Sequence, residues 1–300
     1  MSSSEARQRY EKARKAALKT RKDLMSKGLD PHPECLEDVM NDIRIIRKEN
    51  LGVIEIPSGL VTGTVSRARA SSFTAGFLPL LEADSEFAAK WISLCRADLS
   101  DEGIHDPVEC YEYMGRFYVL EGNKRVSVYR SFDAPLITAR VTRLVPAPAR
   151  DGSDEAYRAF LEHYRLCRLY CVQFSSPEKF ARLRQLAGLD GEHVWNEEER
   201  RRFSSLSFRF FSALEAVCGP MDIKDMSDLF LEAMRQHGTE VLRRMGPGRM
   251  KELAASMTGR KNSVAGPLRL IPAARGVISF FGLERFLRAR EALKSYLTAA

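Results

Sequence analysis

GIHDPVECYEYMGRFYVLEGNKRVSVYR, residues 103–130, constrains the fold more than any other stretch of the chain. Pro107–Tyr113 and Arg116–Leu120 are strand-like, and the Met114-Gly115 pair between them predicts a hairpin. Gly122-Asn123 then begins a short helix, because Asn is a favourable residue at a helix N-cap. We therefore expect a strand, a tight turn, a second strand and a glycine turn that leads directly into a helix.

The start of this short helix has the chemistry of an anion site. Gly122 has no Cβ and allows a ligand to approach the backbone closely. The first N–H groups and the positive end of the helix dipole favour a phosphate, and Lys124 and Arg125 add two cations. These two side chains point about 100° apart, and we favour Arg125 because its planar guanidinium matches phosphate. A capped surface helix without a ligand is the alternative.

Further elements on both sides of the hairpin complete a mixed α+β pattern. Residues 53–57, VIEIP, predict a short strand stopped by proline, and residues 58–76 predict a loop that carries Arg67 and Arg69. Asp84-Ser85 opens a helix that closes near Gly103. Residues 136–145 predict a last strand, whose expected buried set is Ile137, Ala139, Val141 and Leu144.

The two ends of the chain are expected to be helical. Ser4–Lys27 predicts a helix with little apolar content, which favours an exposed arm, and Pro33–Glu49 predicts a second helix. Residues 146–154, PAPARDGSD, have the composition of a linker. The sequence thus predicts a basic helical arm (1–49), a mixed domain (50–146) and an all-helical domain (155–300).

Length and composition place the chain among folded proteins. It has 300 residues, 44% of them hydrophobic and 29% charged, which favours two globular units and excludes a disordered chain or a coiled-coil rod. No apolar stretch approaches the roughly 18 residues of a membrane span, and the first residues lack the apolar core of a secretory signal. We therefore expect a cytoplasmic protein without membrane contact, whose six cysteines are reduced.

The net charge of +7 is unevenly distributed along the chain. Residues 5–27 carry nine Lys and Arg against three acids, and residues 258–300 carry eight against two, so the middle of the chain is net acidic. A basic segment favours polyanionic partners such as nucleic acid. Solvated helix faces explain the same pattern equally well.

The order of these elements resembles the ParB N-terminal domain, or ParB/sulfiredoxin fold, over about residues 50–145. Members of the family have a short strand with a proline turn, an arginine-bearing loop, a helix, a strand hairpin and a Gly-x-x-Arg helix start. The corresponding segments here are VIEIP (53–57), SRAR (66–69), EFAAKWISLCRADLSDEGIHDPVE (86–109), RFYVLEGNKRVSVYR (116–130) and ITARVTRL (137–144).

The resemblance implies a nucleotide site. The family holds nucleotide phosphates, typically those of CTP, at a Gly-Glu-Arg-Arg turn, which corresponds here to Gly122, Asn123, Lys124 and Arg125. Asn replaces the family's Glu, Lys replaces its first Arg, and Glu121 precedes the glycine instead. By the same resemblance, the pocket-lining positions are Arg67, Arg69, His105 and Asp106.

The function that the resemblance implies is a nucleotide-responsive DNA-binding protein of the kind used in chromosome partition. Its cofactor would be CTP or ATP with Mg²⁺, its partners would be DNA and a second copy in a homodimer, and a CTPase-like activity stays open. The family's second acidic motif, Glu-Asn-x-x-Arg, is absent after Val145, and residues 221–257 match a helix-turn-helix unit only loosely.

Two other functions remain open on the same residues. An enzyme of the same fold, a phosphotransferase or nuclease, would use Glu121 or Asp106 as a base. A degenerate module would bind only proteins. EGNKR contains no cysteine, which argues against the sulfinic acid reduction of sulfiredoxins.

One further cluster invites a metal interpretation. His163, Cys167 and Cys171 recur at four-residue intervals on one face of a helix predicted over Ala156–Gln173, and zinc accepts these atom types. We favour a buried helix face with two thiols and predict no metal site.

Overall fold

The structure is a computed structural model that describes residues 3–41, 43–98, 106–188 and 193–261. The chain divides between Ala147 and Pro148 into two compact units, here called the mixed unit and the helical unit. Whether the predicted domains at 50–146 and 155–300 fold independently stays a prediction. The elements of the mixed unit are α1 (Ser3–Ser26), β1 (Glu34–Cys35), α2 (Leu36–Val39), β2 (Ile45–Pro57), a 3-10 turn (Ser58–Leu60), β3 (Val61–Thr64), α3 (Arg67–Ala70), α4 (Glu86–Asp98), β4 (Val108–Tyr113), β5 (Arg116–Glu121), α5 (Asn123–Ser131) and β6 (Leu136–Pro146).

A six-stranded mixed sheet organises this unit, in the order β1-β3-β5-β4-β6-β2. The predicted hairpin is confirmed: β4 and β5 pair antiparallel, with Tyr111 opposite Tyr118. Met114 and Gly115 both have positive φ, 52° and 77°, as a tight turn that follows the strand twist requires. The α+β class is therefore confirmed, and so are the buried positions predicted for β6.

Two predictions for the first half of the mixed unit are wrong. The helix expected over Pro33–Glu49 is replaced by β1, α2 and the first part of β2, which pairs with β6 from Ile45 to Pro57. The loop expected over 58–76 contains β3, in which Gly63 lies so close to its neighbours that a Cβ there would clash with the carbonyl oxygen of Glu34. Pairing with distant strands overrides the local pattern in both segments.

The predicted N-terminal helix is confirmed, but it does not stand away from the protein as an arm. Tyr10 is fully buried, its ring meets that of Trp91 on α4 at 5.2 Å, and its hydroxyl donates to the carbonyl of Leu81 at 2.8 Å. The small apolar content of the helix suffices because it lies on one side. The buried residues of α1 are Ala6, Tyr10, Ala13, Ala17 and Leu24.

The helical unit contains six helices, and no strand, among its described residues. They are α6 (Glu155–Cys167), α7 (Pro177–Leu186), α8 (Glu197–Cys218), α9 (Ile223–His237), α10 (Thr239–Arg244) and α11 (Pro247–Lys261). Asn196 and Glu199 form a reciprocal cap at the start of α8. The helix predicted over Ala156–Gln173 is too long, because Arg168 adopts a left-handed conformation that ends α6. The part of the predicted all-helical domain (155–300) that follows residue 261 lies outside the described residues.

Candidate anion-binding site

The turn between β5 and α5 is built on a glycine in a left-handed conformation. Gly122 has φ of 101°, and its carbonyl accepts the N–H of Val126 in the first turn of α5. The expectation that Asn123 caps the helix is wrong: Gly122 takes the cap position, and Asn123 is the first helical residue. The chain therefore turns sharply at Gly122, directly before the first N–H groups of α5, which have no partner within the helix.

Asn123 has a side chain that the protein itself does not satisfy. Only 9% of the residue is exposed, and its Oδ1 atom has no hydrogen-bond partner among the described residues. A buried amide oxygen without a partner costs about 1–3 kcal/mol, so such atoms are rare in folded proteins. Because Oδ1 accepts hydrogen bonds, a donor and not a phosphate oxygen would satisfy it.

Arg125 is used for structure rather than left available for a ligand. Its Nη1 atom donates to the backbone carbonyls of Asp106 and Pro107 at 2.6 and 2.8 Å, and the side chain is 14% exposed. Its Nη2 atom lies 4.0 Å from a carboxylate oxygen of Glu121. The guanidinium therefore fixes the chain just before β4, and Asp106 meets it through the backbone rather than the carboxylate.

Lys124 points away from Arg125 and towards α4, as its position one residue earlier on the helix requires. Its Nζ atom lies 4.9 Å from the centre of the Phe87 ring. Partial burial lowers the pKa of Lys124, and the nearby cations Lys90 and Arg69 lower it further, while Glu86 opposes them. Cations on α3 and α4 thus repel Lys124 on α5, and a bound anion would relieve this repulsion.

The two arginines of α3 have different surroundings although both are exposed. Arg67 forms an ion pair with Asp38, which raises the pKa of the Arg67 guanidinium. Arg69 faces Lys124 closely enough to affect its pKa, and its side chain has no hydrogen bond or ion pair within the described part of the chain. Of the two arginines, Arg69 acts electrostatically on Lys124, whereas Arg67 is paired with Asp38.

The relative position of α4 and α5 is fixed by a buried hydrogen bond. Trp91 donates its indole N–H to the hydroxyl of Ser127 at 2.9 Å, and both residues are fully buried. Lys90, the neighbour of Trp91, pairs with Glu86 at 2.6 Å. The sequence analysis missed Phe87 and Lys90 as parts of this site, although the four-residue spacing of Glu86 and Lys90 indicates a helix-surface pair.

The predicted acidic residues are exposed. Glu121 ends β5 with 75% of its side chain accessible, and Asp106 is exposed as well. A desolvated carboxylate is the usual signature of a general base, and neither residue has that environment. His105 lies outside the described residues. Within the described ranges, no three His, Cys, Asp or Glu side chains form a group that could hold a metal ion.

The cysteine cluster of the helical unit is not assembled as the sequence predicted. Cys171 lies beyond the end of α6, so it does not continue the helix face of His163 and Cys167. His163 is fully buried against Phe180, at 5.6 Å between ring centres. Burial lowers the pKa of His163 to about 4 and raises that of Cys167 to about 12, which leaves both groups neutral near pH 7.

Comparison with known proteins assigns no family to the chain: no protein-family model matches it, and no curated protein sequence matches it. Among the described residues, no helix is both long enough and apolar enough to cross a membrane.

Proposed function

We propose that the chain is a nucleotide-responsive DNA-binding protein with a ParB/sulfiredoxin-like mixed unit that holds the phosphates of CTP or ATP at the start of α5. One observation carries the proposal: the positive charges of Lys90 and Arg69 act on Lys124 beside the first turn of α5, whose first N–H groups also favour an anion. An anion with several oxygens would interact with both the cations and the helix start.

The proposal revises the role of Arg125. We assign phosphate contact to Lys124 and Arg69, because the guanidinium of Arg125 already donates to two backbone carbonyls. Arg125 becomes a positioning residue that holds the chain before β4 against the start of α5. Gly122 and Asn123 remain part of the site through the turn and its N–H groups.

Mg²⁺ fits this site only together with the nucleotide. Magnesium is commonly bound by one or two carboxylates and by substrate phosphates. Glu121 is the exposed carboxylate next to the turn, and Glu86 is already paired with Lys90. Glu121 would hold the ion beside the phosphates, where the ion would neutralise part of their charge.

Titration calorimetry of the full chain with CTP and with ATP tests the proposal. We expect wild-type protein to bind at least one of them and Lys124→Ala to weaken binding about ten- to a hundredfold, the range expected for one lost charged contact. Lys48→Ala removes an exposed lysine from β2 and serves as the control, with affinity unchanged. Absence of binding by the wild type to both nucleotides would refute the proposal.

A measurement of CTP and ATP hydrolysis distinguishes a protein that binds nucleotide from an enzyme that uses the same site. If the protein hydrolyses CTP or ATP, Glu121→Gln distinguishes a base from a bystander, because Gln keeps the shape and removes the charge. The exposed position of Glu121 argues against its use as the base, and its role in holding Mg²⁺ would appear in Glu121→Gln as weaker nucleotide binding. Loss of all turnover in Glu121→Gln with unchanged nucleotide affinity would favour the enzyme.

A further inference from the structure

The exposed side of α1 carries a straight row of lysines, Lys12, Lys15, Lys19 and Lys22, here called the lysine row. Their spacing of three, four and three residues places them on one side of the helix. At 100° per residue, the row points about 170° away from the mean direction of the buried residues of α1. All four side chains are exposed, so the row faces solvent directly.

The lysine row is not neutralised by the acids near it. Glu11 pairs with Arg7 at 3.2 Å, and Asp23 pairs with Lys27 at 2.8 Å. Counting only described residues, none of the four lysines forms a hydrogen bond or an ion pair. Asp133, which is half buried, is close enough to Lys12 for their charges to interact. Four positive charges therefore lie along roughly 15 Å of helix with little local compensation.

The helix that carries the row is held firmly on the mixed unit. Arg14 forms an ion pair with Glu82, and Arg9 donates to the carbonyl of Ser131 while its guanidinium lies 3.8 Å from the Phe132 ring centre. Tyr10 is buried against Trp91. The helix backbone under the row is therefore fixed on the mixed unit, and a partner need not order the helix on binding.

The chemistry of the row fits a nucleic-acid backbone better than a membrane surface. A helix that lies in a membrane interface needs an apolar face for the lipid, and the apolar face of α1 is already buried. Along about 15 Å of axis, duplex DNA presents about nine phosphate charges, which exceeds the four lysines. Lysine supplies point charges without base recognition, which suits binding that ignores sequence.

We infer that the lysine row of α1 is a sequence-independent binding surface for the phosphates of duplex DNA. The inference rests on the DNA-binding part of the proposed function and locates that binding on the mixed unit. It adds a surface that is separate in sequence from the α5 site and from residues 221–257.

The test measures the salt dependence of binding to a short DNA duplex of arbitrary sequence. If all four lysines neutralise phosphates, they contribute about −3.6 to the slope of log K against log salt, which is about a hundredfold loss between 50 and 200 mM salt. The quadruple variant K12Q/K15Q/K19Q/K22Q should lose this contribution and bind correspondingly more weakly at low salt. Gln is a good helix former, so α1 should keep its structure, which circular dichroism checks.

The matched control removes the same charge elsewhere. K48Q/R140Q/R150Q/R201Q changes four exposed basic residues outside α1 and outside residues 221–257, and it should keep the wild-type slope to within about one unit. Equal losses in both variants, or no DNA binding by the wild type at low salt, would overturn the inference. Binding of the wild type to phosphatidylserine vesicles that depends on the row, without binding to DNA, would overturn it in favour of a membrane.

Nucleotide calorimetry on the row variant keeps this inference distinct from the α5 site. Unchanged nucleotide affinity of the row variant, together with its loss of DNA binding, supports both the lysine row and the α5 site. A row-dependent DNA slope in a protein that binds neither CTP nor ATP supports the row and refutes the nucleotide site. If the protein binds nucleotide but its DNA binding has the same salt dependence with and without the four lysines, the inference about the row is refuted and the nucleotide site is not.

Discussion

His163 should make the helical unit sensitive to acid. The imidazole is fully buried, and neither of its ring nitrogens has a hydrogen-bond partner among the described residues. Burial, with a smaller contribution from Arg184, lowers the pKa of His163 from 6.5 to about 4. In the unfolded chain the same group regains its ordinary pKa, so the unfolded state binds a proton that the folded state refuses.

The sign and size of the effect follow from this difference. Above pH 6.5 His163 is neutral in both states, so its ionisation does not change the free energy of unfolding. As the pH falls towards 4, only the unfolded state gains the proton, and the free energy of unfolding decreases. A shift from 6.5 to about 4 corresponds to about 3 kcal/mol when complete and about 2 kcal/mol by pH 5. His163→Leu removes this dependence and also removes two unsatisfied polar atoms, so it should be no less stable than the wild type at neutral pH.

Urea denaturation followed by tryptophan fluorescence measures the effect in the helical unit. The chain has two tryptophans, and Trp195, buried against Phe203, belongs to the helical unit. In a Trp91→Phe background, fluorescence reports that unit alone. In that background, the difference in unfolding free energy between the protein that keeps His163 and its His163→Leu variant should grow by about 2 kcal/mol from neutral pH to about pH 5. An equal loss of stability in both proteins would refute the burial argument.

Three further substitutions test the local structure. Gly122→Ala should destabilise the mixed unit by about 1–2 kcal/mol in thermal melts, because φ of 101° disfavours a side chain, whereas Gly59→Ala, in open space without a positive φ, should have little effect. Arg125→Ala should cost about 1–3 kcal/mol through the lost hydrogen bonds to the carbonyls of Asp106 and Pro107, even without nucleotide; unchanged urea stability would contradict its positioning role. Asn196→Ala should cost the helical unit about 1 kcal/mol through loss of the cap of α8, and Asn196→Asp should restore most of it in the same assay.

The elements around the α5 site were predictable because their signals are local. The Met114-Gly115 turn, the alternation in β4 and the glycine before α5 each act within a few residues. The strands β1 and β3 and the first part of β2 were not predictable in this way. Gly63 in β3, for example, is explained only by the Glu34 carbonyl that lies against it, 29 residues earlier in the chain.

The same difference between local signals and distant contacts applies to the predicted site residues. The sequence predicted Gly122 and Lys124 from local signals, a glycine turn and a cation at a helix start, and Arg69 only through the family resemblance. It favoured Arg125 over Lys124, since the acceptors of Arg125 are backbone carbonyls 18 and 19 residues earlier, which no side-chain pattern records. It did not distinguish Arg67 from Arg69, because the partner of Arg67 is Asp38, on α2, where the sequence predicted a different helix.

Arg67 and Arg69 therefore provide the most direct test of the phosphate site. They lie two residues apart, have the same chemistry and are both exposed, but Arg69 lowers the pKa of Lys124, whereas Arg67 is paired with Asp38. In calorimetric titrations with CTP and ATP, Arg69→Ala should weaken nucleotide binding about ten- to a hundredfold, and Arg67→Ala should leave it within about twofold. Equal affinities for the two variants, or a larger loss in Arg67→Ala, would contradict an anion site formed by Lys124 and Arg69 at the start of α5.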